Sequence, residues 1–374
     1  MVDYLFLAVK FNRYAGPNNH LLDLSNHLYT KCKKSLVLVT HPGAIESDFL
    51  KDIRFPMVRT LHRASHVITN IKAIKKITKE RTPRIIFVNC DKNLAFQTYF
   101  ATNKPPLIGY NVFLGSATFS LDRSLNRSVY ARLLDKVGSR ILVKRIVAHT
   151  NWHREAYIEI GINPRKITVI PHCVNIGRIH RALEPDFRIE KNEAPVIMFV
   201  GRLKKIKGII ELLEAYEQIS RKRDADLMIV GSGPLEKRVQ EMKKHIERKN
   251  TRAHITCIRR VPLSKLISLM NRADVIAIPS YYEPFGLVAL EAMSLKKAVL
   301  ATCFGGISEV ITNEVDGILV NPFSSQEMQS HLEELVSDAH KRNKLGKSAY
   351  QTVRKKYDVS VVAPKFMEFL EESD

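Results

Sequence analysis

The chain has 374 residues, enough for two domains of ordinary size, and its apolar content of 45% is that of a globular protein. No apolar run reaches the ~20 residues a helical membrane span needs, and the start, Met1 to Val9, lacks a basic leader and reads as a first strand rather than a signal peptide. Five cysteines at 32, 90, 173, 257 and 303 include no close pair, which argues against a zinc framework or a disulfide scaffold and fits a reducing, cytoplasmic setting.

The net charge of +21 is unevenly spread. Residues 1–178 hold 28 Lys+Arg against 11 Asp+Glu, whereas residues 179–374 hold 31 against 27. The first half therefore carries most of the field and suits an anionic lipid surface, a nucleic acid or a phosphorylated substrate.

Strand-like and helical patterns alternate through the first half. Tyr4–Val9 reads as a strand, a loop with Gly16-Pro17 follows, and Leu21, Leu22, Leu24 and Leu28 have helical spacing. Further strands are expected at Ser35–Thr40, Arg84–Val88, within Pro105–Leu114, at Arg145–Ala148 and at Lys166–Ile170, with a helix over His153–Ile160.

The second half repeats the pattern. Val196–Val200, Leu227–Val230, His254–Ile258, Val275–Ile278 and Ala298–Ala301 read as strands, each followed by a turn and a helix. The expected fold class is α/β, with two Rossmann-like, doubly wound domains facing a central cleft. The boundaries are residues 1–178 for the first domain, 179–194 for a linker and 195–358 for the second domain.

In an open α/β sheet, ligands sit at the loops that follow the carboxyl ends of the strands. Gly201-Arg202 is followed by Lys204, Lys205 and Lys207-Gly208, a crowd of cations one turn ahead of a helix, which suits phosphate. Gly231-Ser232-Gly233 lets backbone approach a ligand closely. The stretch Pro279 to Glu291 joins a buried strand to a helix and carries two carboxylates, Glu283 and Glu291, that suit sugar hydroxyls and would repel phosphate. The bland alternatives are a solvated basic loop and an acidic residue near a helix start.

Taken in order, Gly201-Arg202, Lys207-Gly208, Val230 to Gly233, Pro279-Ser280, Glu283-Pro284-Phe285-Gly286, Glu291-Ala292-Met293, Gly305-Gly306, Glu309-Val310-Ile311 and Asp316-Gly317 strongly resemble the retaining, nucleotide-sugar-dependent glycosyltransferases of family 4, of GT-B fold. The likeness covers the C-terminal half and extends to Thr150 and to Gly161 through Pro171.

The resemblance implies that Glu283 contacts hydroxyls of the donor sugar, with the amides of Phe285, Gly286 and Leu287 beside it, and that Glu291 holds the ribose. It implies that Arg202 and Lys207 bind the diphosphate, that Gly16 and Gly231 face the donor, and that no metal or prosthetic group is needed. The co-substrate would be a UDP- or GDP-linked sugar, held by the domain 195–358, with 1–178 on the acceptor side and 359–374 crossing back to join it. Where many relatives have a His near the sugar, this chain has Asn111, a neutral hydrogen-bonding substitute. His172-Cys173-Val174-Asn175 also departs from the Asn-Gly-Val-Asp of many relatives, and Arg259-Arg260 replaces a glycine before the base-binding loop.

Two leads point elsewhere. Asp224-Ala225-Asp226 resembles a metal-binding pair, but it precedes a strand, opposite the ligand end. His149 and His153 share a helix face without an evident third ligand. A nucleic-acid-binding protein is the reading charge alone suggests, and no recognition signature supports it. An NAD-dependent oxidoreductase lacks its Gly-x-Gly-x-x-Gly after the first strand.

The acceptor is expected to meet the basic first half. Val67, Ile68, Ile71, Ile74 and Ile77 form an apolar stripe, with Lys72, Lys75, Lys76 and Lys79 mostly off it. Such a basic amphipathic helix suits an anionic membrane surface, and hence a lipid-linked acceptor at the cytoplasmic face. An ordinary surface helix and a soluble acceptor are the competing readings.

Overall fold

A computed structural model describes residues 2–8, 16–40, 52–61, 66–89, 92–102, 107–109, 144–159, 161–184 and 194–373. They form two compact units, Met1–Cys173 with Val359–Asp374, and Val174–Asp358.

The first unit runs β1 (Val2–Ala8), α1 (Gly16–Thr30), β2 (Leu36–Thr40), β3 (Met57–Arg59), α2 (Val67–Arg81), β4 (Pro83–Asn89), α3 (Lys92–Thr102), β5 (Leu107–Gly109), β6 (Ile146–Ala148), α4 (Asn151–Glu159) and β7 (Ile167–Val169). The strands make one parallel sheet in the order β3-β2-β1-β4-β5-β6-β7. Alternate residues of β1 feed opposite cores, Tyr4, Phe6 and Ala8 on one face and Leu5 and Leu7 on the other. Both faces are covered, which is why the strand reads as continuous apolar sequence rather than as an alternation.

The second unit runs α5 (Ile176–Arg181), β8 (Val196–Val200), α6 (Ile209–Ser220), β9 (Asp226–Val230), α7 (Glu236–Lys249), β10 (His254–Ile258), α8 (Leu263–Arg272), β11 (Val275–Ile278), α9 (Leu287–Ser294), β12 (Ala298–Thr302), β13 (Ile318–Val320), α10 (Ser325–Ser337) and α11 (Ala339–Lys356). Its parallel sheet has the order β10-β9-β8-β11-β12-β13, so the winding direction reverses between β8 and β11. Ile197, Phe199, Val275 and Ala277 face one core, and Met198 and Ile276 the other.

Helix α12 (Val359–Glu371) belongs to the first unit, where Phe366 packs edge-on against Phe87 at 5.2 Å between ring centroids and Lys34 Nζ pairs with Glu371 at 2.6 Å. The break between units falls after Cys173, earlier than the expected boundary at 178. Part of the segment expected as linker, 179–194, is instead ordered structure: Ile179 lies in α5 and is buried with Ile176 in the second unit's core. Six helical residues are too few to show a period in the sequence. Among the described residues no helix is long and apolar enough to cross a membrane.

Candidate functional site

The loops after β8, β9, β11 and β12 are tied to one another by backbone. Leu203 N donates to Ser232 O at 3.1 Å, and a Cβ at Gly231 would stand 1.8 Å from Gly201 O, so only glycine lets these two loops meet. Lys205–Lys207 forms one 3₁₀ turn that ends on Gly208 in the left-handed region, φ 66°. Gly208 sits against the carbonyl of Pro279, and Tyr281 N donates to Ile206 O at 2.9 Å. On the other side Glu283 N donates to Phe304 O at 3.1 Å, and Ile307 N donates to Glu283 O at 3.2 Å. The Pro279–Glu283 loop is thus strapped to the loops on both flanks.

That strapping brings Lys207 and Glu283 together. Lys207 Nζ lies 2.7 Å from Glu283 Oε2, and Ser280 Oγ donates to the same oxygen at 3.2 Å. Ser280 is buried, and Glu283 keeps only part of its surface exposed. Burial, and then the charge of Glu283, push the neighbouring Tyr282 phenol up, so it stays protonated. Tyr281 donates its hydroxyl to Glu211 and is likewise pushed up, first by burial and then by that carboxylate.

Helix α9 starts directly after the loop. Gly286, at φ 90°, caps it, and a Cβ there would meet Ile307 Cδ1 at 2.7 Å. Phe285 is buried edge-on against Tyr357 at 5.9 Å, which fixes the backbone from which the amides of Gly286 and Leu287 project. The partial positive end of α9 therefore adjoins the Lys207–Glu283 pair. Glu291 lies one turn into α9, half-buried. Arg202 follows β8 and is exposed.

The structure so gathers Lys207, Glu283, Phe285, Gly286 and Leu287 on loops held in mutual contact, with Gly231 clamped to the strand end that carries Arg202. Gly16 opens α1 in the first unit. Asn111 lies outside the described residues. Lys72, Lys75, Lys76 and Lys79 are exposed on α2. Their apolar stripe is largely spoken for, since Ile74 and Ile77 are buried in the first unit's core; Val67 and Ile68 remain exposed.

Sequence reasoning gave no role to Ser280, which entered only as part of the Pro279-Ser280 motif, three residues before Glu283. It also overlooked the company of His149 and His153. His149 stacks on His172 at 3.6 Å between ring centroids, and His20 approaches His172 at 4.7 Å. Burial holds all four imidazoles below the usual histidine range, His20 at about 3 and His153 at about 4. No cluster among the described residues is arranged to hold a metal ion. Asp226 opens β9, at the end of the sheet away from the site.

Two Rossmann-like sheets with cations, glycine turns and a carboxylate at the carboxyl ends of the second sheet define an α/β protein of the GT-B glycosyltransferase type. Residues 14–178 match the model of Glycosyltransferase Family 4, and residues 183–352 match that of Glycosyl transferases group 1. The chain belongs to this family of glycosyltransferases.

An uncharacterized glycosyltransferase of Methanocaldococcus jannaschii is 34% identical over 173 residues, 46% of this chain and 44% of its own length. The D-inositol 3-phosphate glycosyltransferase of Segniliparus rotundus is 29% identical over 212 residues, 54% of this chain and 47% of its own. The chain spans about half the length of these curated relatives. Among solved structures, Anabaena HepE in complex with UDP-glucose superposes with a TM-score of 0.77 at 18% identity over all of both chains, a likeness of fold.

Proposed function

We propose that this protein is a retaining glycosyltransferase that moves a hexose from a UDP- or GDP-linked sugar to an acceptor hydroxyl on a lipid-linked or other membrane-associated glycan. The observation that carries the reading is the Lys207–Glu283 pair at the start of α9: one group for phosphate and one for hydroxyls, adjacent, at the ligand end of a parallel sheet.

In this reading the bond between the anomeric carbon and the diphosphate breaks while the acceptor oxygen approaches the same face of the sugar. The acceptor proton passes to the leaving phosphate oxygen. Lys207, Arg202 and the amide end of α9 stabilise the charge that develops on that phosphate, the work a divalent ion does in other transferases. Glu283 holds sugar hydroxyls and orients the ring, and Glu291 holds the ribose. No residue acts as nucleophile. HepE, which shares the fold, binds UDP-glucose, and this favours a nucleotide sugar as donor.

The basic α2, with four exposed lysines, favours a membrane-associated acceptor and peripheral attachment at a cytoplasmic membrane face. A soluble acceptor is the second reading, favoured by the inositol-phosphate specificity in the Segniliparus relative's name.

The test is a panel of UDP- and GDP-linked sugars with mass detection of slow donor hydrolysis, which needs no acceptor, alongside calorimetry with UDP, GDP and NAD. Release of free sugar from one donor class supports the reading. Binding of NAD with neither UDP nor GDP overturns it.

A further inference from the structure

We propose that Ser280 is a positioning residue: it keeps the Glu283 carboxylate aimed at the donor sugar once the donor's diphosphate has drawn Lys207 away. The inference rests on the function proposed above and adds a residue to it.

Glu283 Oε2 accepts from two donors, Lys207 Nζ at 2.7 Å and Ser280 Oγ at 3.2 Å. They differ in what a donor molecule does to them. Lys207 is a charge at the end of a flexible stem, a third exposed, and a diphosphate carries more negative charge than one carboxylate. When the diphosphate binds, the ammonium turns to it, and Glu283 loses its stronger partner at the moment its geometry matters. Ser280 cannot follow. Its side chain is short and buried, and its loop is pinned immediately beyond it by Tyr281 N to Ile206 O and again by Glu283 N to Phe304 O.

The hydroxyl is therefore the fixed reference for one oxygen of Glu283, which leaves the other free to accept from the sugar. A carboxylate so held cannot rotate to meet hydroxyls of the wrong stereochemistry, so Ser280 bears on donor discrimination as well as on rate. The neutral hydroxyl also suits the task electrostatically, because it holds the carboxylate without competing with the diphosphate for a cation.

The experiment compares wild type with Ser280→Ala, Ser280→Cys and Ser280→Thr in acceptor-free hydrolysis of UDP-glucose, or of GDP-mannose should calorimetry show that GDP rather than UDP binds. Cys keeps the side-chain shape with only a weak donor, and Thr restores the hydroxyl. The expected result is a kcat about ten- to a hundredfold lower in the Ala and Cys variants, from lost orientation, with Thr recovering most of it. Affinity for the free nucleotide stays within about twofold, because that ligand does not use Glu283. The ratio of rates on UDP-glucose and UDP-galactose moves toward one. In a Glu283→Gln background, Ser280→Ala lowers kcat by less than about twofold, since its target is already gone.

A kcat in both the Ala and Cys variants within about twofold of wild type overturns the proposal, as does an equal drop with and without Glu283. If wild type binds neither UDP nor GDP, the proposed function falls and this inference with it, and calorimetry on wild type tells that case apart from failure at Ser280 alone.

Discussion

Lys207 and Glu283, 76 residues apart in sequence, are each other's ion-pair partner, with Nζ 2.7 Å from Oε2. The cation assigned to phosphate and the carboxylate assigned to sugar hydroxyls thus neutralise one another before a ligand arrives. Lys207 is partly exposed at the end of a flexible stem, so its ammonium can exchange the carboxylate for a diphosphate. Lys207→Ala is expected to lower kcat/KM for the donor by about 2–4 kcal/mol, as lost donors to a developing anion do, and Arg202→Ala by a similar amount. The Lys207→Ala/Glu283→Gln double variant should lose less than the sum, because the two groups share one interaction. Steady-state donor hydrolysis measures all of these, and strict additivity would show that the pair does not act as a unit.

Glu291, one turn into α9, is the residue assigned to ribose. Glu291→Ala is expected to weaken free nucleotide about tenfold, roughly 1.4 kcal/mol, because hydrogen bonds to a charged acceptor are lost. Glu283→Ala should leave free nucleotide binding near wild type and reduce turnover instead. Calorimetry with UDP and GDP separates the two, and equal affinity of wild type and Glu291→Ala rules the ribose assignment out.

Gly208 is where backbone conformation and the site depend on each other. Its φ is 66°, and a Cβ would stand 1.8 Å from the Pro279 carbonyl. Gly208→Ala must therefore move the Lys205–Lys207 turn away from the Pro279–Glu283 loop, at a cost of about 2–3 kcal/mol in the second unit's stability. Calorimetric unfolding should show that unit melting earlier while the first unit's transition stays put. Donor hydrolysis should fall with it, since Lys207 and Glu283 separate.

The buried histidines make a prediction about acid. Their folded pKa values lie below the ordinary 6.5, so the fold favours the neutral rings while the unfolded chain takes up protons below about 6.5. The stability they contribute is complete above that pH and is lost as pH falls toward 3 to 4. Between pH 7 and 5, His20 and His153 should each forfeit roughly 2 kcal/mol. Thermal midpoints recorded across that range should drop for the first unit and much less for the second, with a shallower drop in His153→Gln. A flat profile for the first unit would contradict the neutral, buried cluster.

Much of the second unit was legible because its information is local. β8 and β11 are continuous apolar runs ended by Gly201 and Pro279, β9 runs apolar from Leu227 to Gly231, and Gly286 before an apolar helix marks where α9 starts. What could not be read is what distant segments do to each other. His20, His149, His153 and His172 come from separate elements, and nothing in their spacing announces a stack. The Lys207–Glu283–Ser280 contact depends on two backbone straps that involve no distinctive side chain. Short elements such as β13 and α5 carry too few residues to show a period.

The basic helix α2 is where the structure most changes the expectation. An amphipathic helix that lies on a membrane needs its apolar face free, yet Ile74 and Ile77 are buried in the first unit's core. What remains outside is Lys72, Lys75, Lys76 and Lys79, with Val67 and Ile68 at the helix start. Attraction to anionic lipid should then be mainly electrostatic, about 1 kcal/mol for each lysine near the surface, and should weaken steeply with salt. Co-sedimentation with phosphatidylserine vesicles at low salt should be strong for wild type and lost when all four lysines are changed to Glu, while Ile68→Ala should reduce it only slightly. Raising the salt should release wild type from the vesicles. Equal sedimentation of wild type and the four-fold variant, or none by either, removes α2 as the membrane surface and leaves the soluble acceptor as the better reading.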